Sequence, residues 1–153
     1  MKVVIFGSGS FGTALAIVAA RNGHDVVILR RRAEVAKSIN ERRVNSRHLS
    51  AFILATNISA TTVVQDALVE ADAIIHAIPI QNTEKFLRVH RKEVRASGAL
   101  FINTSKGLHS DSLELMHEVL DRVLGKEYPC AFFGGPTFAA QLADGTPSGG
   151  VMA

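Results

Sequence analysis

Gly7-Ser8-Gly9-Ser10-Phe11-Gly12 spaces three glycines as G-x-G-x-x-G. The run follows the apolar stretch Val3-Val4-Ile5-Phe6 and opens a pattern dense in Ala and Leu. In that setting each glycine has a task. Gly7 permits a tight turn, Gly9 lets the backbone approach a pyrophosphate, and Gly12 lets the following helix pack closely on the sheet. The N–H groups at the helix start would then face phosphate oxygens. Without a ligand the same residues make a plain strand-to-helix turn. Their place at the first such junction favours the phosphate reading.

Three further groups stand at the ends of apolar runs. Asp25 to Leu29 is followed by Arg30-Arg31-Arg32. A dinucleotide-binding strand here normally ends in a carboxylate that takes the ribose 2′-hydroxyl of NAD, and such a carboxylate repels a 2′-phosphate. Arginine attracts that phosphate and can stack on adenine. The residues therefore favour NADP, unless the run is only a solvated helix start. Cations at a helix N-terminus oppose the macrodipole, which is mild support for a functional reason. Lys106, in Ser105-Lys106-Gly107, can orient a carbonyl or a phosphate; an exposed structural lysine fits the same position. Gly134-Gly135-Pro136-Thr137-Phe138 offers backbone N–H groups and a hydroxyl to an anion, or makes a simple turn. The six histidines show no metal-ligand spacing, and no metal is expected. His76, within an apolar run, reads as a satisfied core histidine rather than a catalytic one. No acid pair or nucleophile triad stands out.

These groups need a scaffold. The chain has 153 residues, 47% hydrophobic and 20% charged, the proportions of one globular domain. A formal charge of +3 is too small to point to nucleic acid. Cys130 is the only cysteine, which excludes an internal disulfide and suits a reducing compartment. No apolar run is long enough for a membrane span, and no signal peptide opens the chain. The expected strands are Val3–Phe6, Asp25–Leu29, Ile58–Thr61, Ala73–Ile78, Ala99–Asn103 and Cys130–Phe133. The expected helices are Thr13–Arg21, Ala33–Arg42, Thr62–Glu70, Thr83–Arg95, Asp111–Leu124 (capped by Ser110 or Asp111) and Phe138–Ala143. Asn45–Ala55 reads as a loop. This alternation implies right-handed βαβ crossovers and a Rossmann-type, doubly wound α/β fold: a mostly parallel sheet with helices on both faces. Such sheets bind ligands at the carboxyl ends of their strands, where every group named above falls.

Taken together, the chain resembles the N-terminal half of bacterial-type NAD(P)-dependent glycerol-3-phosphate dehydrogenase. The resemblance runs over essentially the whole chain. It is carried by Gly7 to Ala16, Asn45 with His48-Leu49, Ala77-Ile78-Pro79-Ile80-Gln81, Ser105-Lys106-Gly107-Leu108, and Gly135-Pro136-Thr137-Phe138-Ala139 with Gly145-Thr146-Pro147. The Ser-Lys-Gly and Gly-Pro-Thr-Phe-Ala blocks are more specific than the glycine motif. The resemblance implies hydride transfer between NAD(P) and sn-glycerol 3-phosphate or dihydroxyacetone phosphate. It places Ser10, Phe11, Arg31, Arg32, His48 and Ala139 against the dinucleotide. Lys106 would sit between cofactor and substrate as a catalytic residue, with Gly135 and Thr137 on the substrate.

Some residues depart from the pattern. His48 stands where the family has Tyr, Gln141 where it has Glu, and His76 where it has an apolar residue. The family continues beyond Ala153 with a helical domain that supplies a second catalytic lysine and the phosphate grip. This chain is thus expected to be the cofactor-binding half, inactive alone and prone to self-association through apolar surface, with a terminal strand over Gly149–Ala153. The full enzyme is expected to be a cytoplasmic homodimer. The rivals are a ketopantoate or 6-phosphogluconate type of reductase and a non-catalytic dinucleotide-binding module.

Overall fold

A computed structural model describes residues 1–110 and 112–153. The elements are β1 (Lys2–Phe6), α1 (Ser10–Arg21), β2 (Asp25–Leu29), α2 (Ala33–Arg42), β3 (Ile58–Thr61), α3 (Val64–Leu68), β4 (Ala73–His76), α4 (Ile80–Val89), α5 (Arg91–Ser97), β5 (Leu100–Asn103), α6 (Met116–Leu124), β6 (Cys130–Gly134), α7 (Ala139–Asp144) and β7 (Val151–Met152). The strand order is β3-β2-β1-β4-β5-β6-β7. All neighbours are parallel except β6 and β7, which pair antiparallel through Phe133 with Met152 and Gly134 with Val151. The order of the first six strands is that of a doubly wound dinucleotide fold. It reverses direction between β1 and β4, which opens a crevice above their carboxyl ends.

The continuous apolar run of β1 is explained by burial on both faces. Val4 and Phe6 face one core with Ile74, Phe101 and the apolar sides of α3 to α6. Val3 and Ile5 face the other, with Ile28 and residues of α1, α2 and α7. The second core is rich in alanine: Ala14, Ala16, Ala19 and Ala20 line α1, so helix and sheet approach closely.

The expected helix over Thr83–Arg95 is two helices. His90 (φ −106°, ψ 19°) ends α4 and starts α5. Its ring packs on Phe86 at 4.8 Å between centroids. The bend lets α4 reach α6 while α5 packs on α3. The expected helix over Asp111–Leu124 begins instead at Met116, and Asp111 lies outside the described residues. Glu118 accepts the Leu115 backbone N–H at 2.8 Å and so caps α6 later than Glu114 could. Glu114 is drawn into a different contact: Arg122 binds it at 2.6 Å and also binds Glu84 of α4.

Tyr128 ties the α5–β5 turn to the rest of the core. Its hydroxyl lies 2.8 Å from the Val94 carbonyl and 2.9 Å from that of Ala99. Tyr128→Phe leaves both carbonyls without that donor in a buried setting. We expect a loss of about 1–2 kcal/mol, read as a lower urea midpoint with an unchanged slope.

Candidate active site at the carboxyl edge of the sheet

The glycine loop is built by backbone approach. Gly7 (φ 103°) turns the chain out of β1, and a Cβ there would lie 2.7 Å from the Ala77 carbonyl oxygen. A Cβ on Gly12 would lie 1.9 Å from the Gly7 carbonyl oxygen. Gly9 differs: a Cβ there would meet nothing within 4 Å. It would project into open space beside the start of α1. Gly9 precedes α1, whose first N–H groups have no intrahelical acceptor. Ser10, the first residue of α1, is exposed, and Phe11 is half-buried beside the crevice.

Asn45 holds this loop from the far side. It is fully buried and donates to the Ser8 carbonyl at 3.0 Å and to Thr13 Oγ1 at 2.8 Å. Its own backbone carbonyl accepts the His48 N–H at 3.3 Å. The loop over residues 45–55 is thereby anchored to the glycine turn, and His48 Nδ1 stands 3.4 Å from Ser10 Oγ. Partial burial, then Arg30 and Arg47, lower the His48 pKa, so its imidazole is neutral near pH 7. Arg31 and Arg32 are exposed beyond the end of β2, with Arg32 3.8 Å from Glu34. Arg30 turns inward to Ser8. The arginine run lies at this corner; the sequence reading treats Arg30 only as part of that run and names Asn45 only among the residues that carry the resemblance, with no role for either. A basic side chain directly after β2, at the carboxylate's usual position, was the signal for Arg30.

The second part of the site is a cleft of about 490 Å³ lined by Phe11, the 77–81 segment, Thr104 to Lys106 and Thr137. Lys106 is exposed at its rim and donates to the Gly135 carbonyl at 2.7 Å. That bond joins the turns after β5 and β6. The Thr137 hydroxyl is buried and has no hydrogen-bond partner among the described residues. Ala139 opens α7, which packs on α1.

Beneath Lys106 lies a polar network. His76 is fully buried at the end of β4. Its Nδ1 lies 3.1 Å from Asn103 Oδ1 and its Nε2 3.1 Å from Thr83 Oγ1. The Asn103 amide donates to the Ser105 carbonyl at 3.1 Å. That orientation leaves Asn103 Oδ1 to accept from Nδ1–H, so Nε2 accepts from the Thr83 hydroxyl. Burial pushes the His76 pKa down to about 4, against a smaller upward pull from Asn103. His76 is therefore a neutral, satisfied core histidine. Through Asn103 and Ser105 it supports the turn that carries Lys106. Among the described residues, no cluster of His, Cys, Asp and Glu has the makings of a metal site.

The arrangement offers a pyrophosphate cradle on one side of the β1–β4 crevice. On the other side it offers an ammonium and a free hydroxyl. The family described as "NAD-dependent glycerol-3-phosphate dehydrogenase N-terminus" matches residues 2–153. The chain belongs to this family. It is 37% identical to the chloroplastic NAD(+) glycerol-3-phosphate dehydrogenase of Oryza sativa, over 99% of this chain and 35% of that protein. It is 33% identical to the NAD(P)+ enzyme of Acinetobacter baumannii, over 100% of this chain and 42% of that protein. The crystal structure of glycerol-3-phosphate dehydrogenase from Coxiella burnetii superposes with a TM-score of 0.90 at 26% identity, covering 99% of this chain and 46% of that one. The chain thus spans less than half the length of these glycerol-3-phosphate dehydrogenases. The match also separates it from the ketopantoate and 6-phosphogluconate reductases considered as rivals. No helix among the described residues is long and apolar enough to cross a membrane.

Proposed function

We propose that this chain is the dinucleotide-binding half of an enzyme that interconverts sn-glycerol 3-phosphate and dihydroxyacetone phosphate with NAD or NADP. The observation that carries the reading is the shared cleft: Phe11 of the glycine loop lines it together with Lys106 and the unpartnered Thr137 hydroxyl. A buried hydroxyl without a partner costs free energy, and a bound substrate oxygen would relieve that cost.

When bound, the nicotinamide supplies the hydride chemistry. The residues of this chain bind and orient. The N–H groups at the start of α1 hold the pyrophosphate, which Gly9 admits. Ser10, Phe11, Arg31, Arg32, His48 and Ala139 contact the rest of the dinucleotide. The Lys106 ammonium orients the substrate C2 oxygen and stabilises the negative charge that develops on it. Gly135 and Thr137 position the same substrate. Proton transfer falls to a lysine of the helical domain that the resemblance implies. A homodimer, a cytoplasmic location and a role in glycerophospholipid metabolism rest on the resemblance alone.

The test uses the purified chain. Calorimetric titration should show dinucleotide binding, while NADPH or NADH with dihydroxyacetone phosphate should give little or no absorbance loss at the nicotinamide band. Robust turnover would overturn the assignment of proton transfer to another domain. Absence of all dinucleotide binding would overturn the reading itself. A longer polypeptide that binds cofactor and transfers no hydride would instead make this a non-catalytic binding module.

A further inference from the structure

Lys106 stands on a turn whose two ends are fixed to one piece of backbone, the stretch leading from β4 into α4. At the near end the Ser105 hydroxyl donates to the Ile78 carbonyl. At the far end the Gln81 side chain does the holding. Gln81 is the second residue of α4, exposed at the edge of the cleft it helps to line. Its Nε2 donates to the Leu108 carbonyl at 3.1 Å. Its Oε1 accepts the Ser110 backbone N–H at 2.8 Å and the Ser110 hydroxyl at 2.9 Å. One amide thus meets a carbonyl with its NH₂ and two donors with its oxygen, and the reversed amide would set like against like.

Beyond this clamp the chain closes on itself. The His109 N–H donates to the Glu114 carbonyl at 2.9 Å, and the His109 carbonyl accepts the Leu113 N–H at 2.8 Å. Arg122 then joins Glu114 to Glu84, further along α4. Lys106 and Gly107 form the crest between the two anchors. The Lys106 ammonium is exposed and touches the Gly135 carbonyl at 2.7 Å, so its place in the cleft follows from where the crest stands. A group that orients a reacting atom loses most of its value when displaced by about 1 Å, and the residues that hold it matter accordingly. Resting on the function proposed above, we infer that Gln81 is a positioning residue: by clamping residues 108–110 to α4, its amide sets where the Lys106 ammonium stands. Gln81 acts through Lys106 and not by touching cofactor or substrate.

The experiment has two readouts on the purified chain. The first is trace acetylation with acetic anhydride, read lysine by lysine by mass spectrometry. Gln81→Met keeps the side-chain length and loses the bonds to Leu108 and Ser110. Lys106 should then be acetylated at least about threefold faster, within the scale of one net hydrogen bond, while the exposed Lys37 and Lys126 keep their rates. Gln81→Glu keeps the acceptor for Ser110 and should fall between. Tyr128→Phe, which weakens the fold away from the cleft, should leave the Lys106 rate at its wild-type value. An unchanged rate in Gln81→Met, or an equal rise in Tyr128→Phe, would overturn the inference. The second readout is calorimetric titration with NADH and NADPH in a double-mutant cycle. Gln81→Met should weaken binding about threefold, and should cost nothing further in a Lys106→Ala chain. A loss of the same size in both backgrounds would mean that Gln81 touches the dinucleotide itself, and would overturn the positioning role. So would a loss in Lys106→Ala with none in Gln81→Met. Binding untouched by either substitution, or absent altogether, would overturn the placing of Lys106 at a dinucleotide, and the acetylation rates would still decide what Gln81 holds.

Discussion

Gly12→Ala is expected to destabilise the domain by about 3 kcal/mol or more and to weaken dinucleotide binding at least about a hundredfold. The new Cβ would lie 1.9 Å from the Gly7 carbonyl oxygen, with the Ala77 side chain 3.3 Å away. Neither neighbour is the free end of a flexible side chain. Either α1 moves off the sheet or the turn at Gly7 is displaced, and both misplace the N–H groups at the start of α1 that the proposed pyrophosphate site uses. Gly9→Ala separates the two effects. Its Cβ enters open space, and Gly9 already has φ −68°, which alanine adopts freely. Stability should change by no more than about 0.5 kcal/mol, while binding falls. Urea denaturation and calorimetric titration of both variants read this directly. Unimpaired binding in Gly9→Ala would mean that no pyrophosphate passes over that residue.

The second large effect is an acid-induced loss of stability centred on His76. In the unfolded chain its imidazole takes a proton at its ordinary value near 6.5; in the folded domain it does so only near 4. Between those values the unfolded state binds more protons, so stability rises with pH across this window and falls as pH drops through it. The full loss, reached below about pH 4, is about 3 kcal/mol. Glu84 acts in a separate, lower window. Its hydrogen bonds to Arg122 and Arg88 hold its carboxyl at about 2, so its contribution is present above the ordinary carboxylate value and is lost as pH falls toward 2. Glu84 lies near the surface, and its share is the smaller one. Urea midpoints at pH 7, 5.5 and 4.5 should therefore fall steadily, and the fall should largely vanish in His76→Gln. A slope that persists in that variant would place the titrating group elsewhere.

This network also bears on the site. His76, Asn103, Thr83 and Ser105 come from three separate elements and one turn, and they meet only because β4 and β5 pair in register, His76 beside Asn103. A neutral imidazole satisfied on both nitrogens fits beneath a lysine better than a charged one would. It adds no positive charge beneath the Lys106 ammonium.

Much was legible along the chain because its signals are local. The period and length of the apolar runs set the six parallel strands. The glycine spacing marked the tight turn at the first junction, and residues at strand ends marked the carboxyl edge, where Phe11, Lys106 and Thr137 line one cleft. The helix boundaries were less legible. The break at His90 follows from what α4 and α5 pack against, and the late start of α6 from Glu118 capping Leu115 while Arg122 engages Glu114 and Glu84. Two other features were decided only in three dimensions. One is which arginine of an adjacent three turns inward; that depends on Ser8, from another part of the chain, being within reach of Arg30. The other is which hydroxyls and ammonium groups share a cleft, since Phe11, Lys106 and Thr137 are far apart in sequence and converge only through the β1–β4–β5–β6 order of the sheet. Residue type and spacing specify each strand, turn and helix because those preferences are short-range. The register between distant strands, and with it the direction of each side chain at their ends, comes from burying two apolar faces at once.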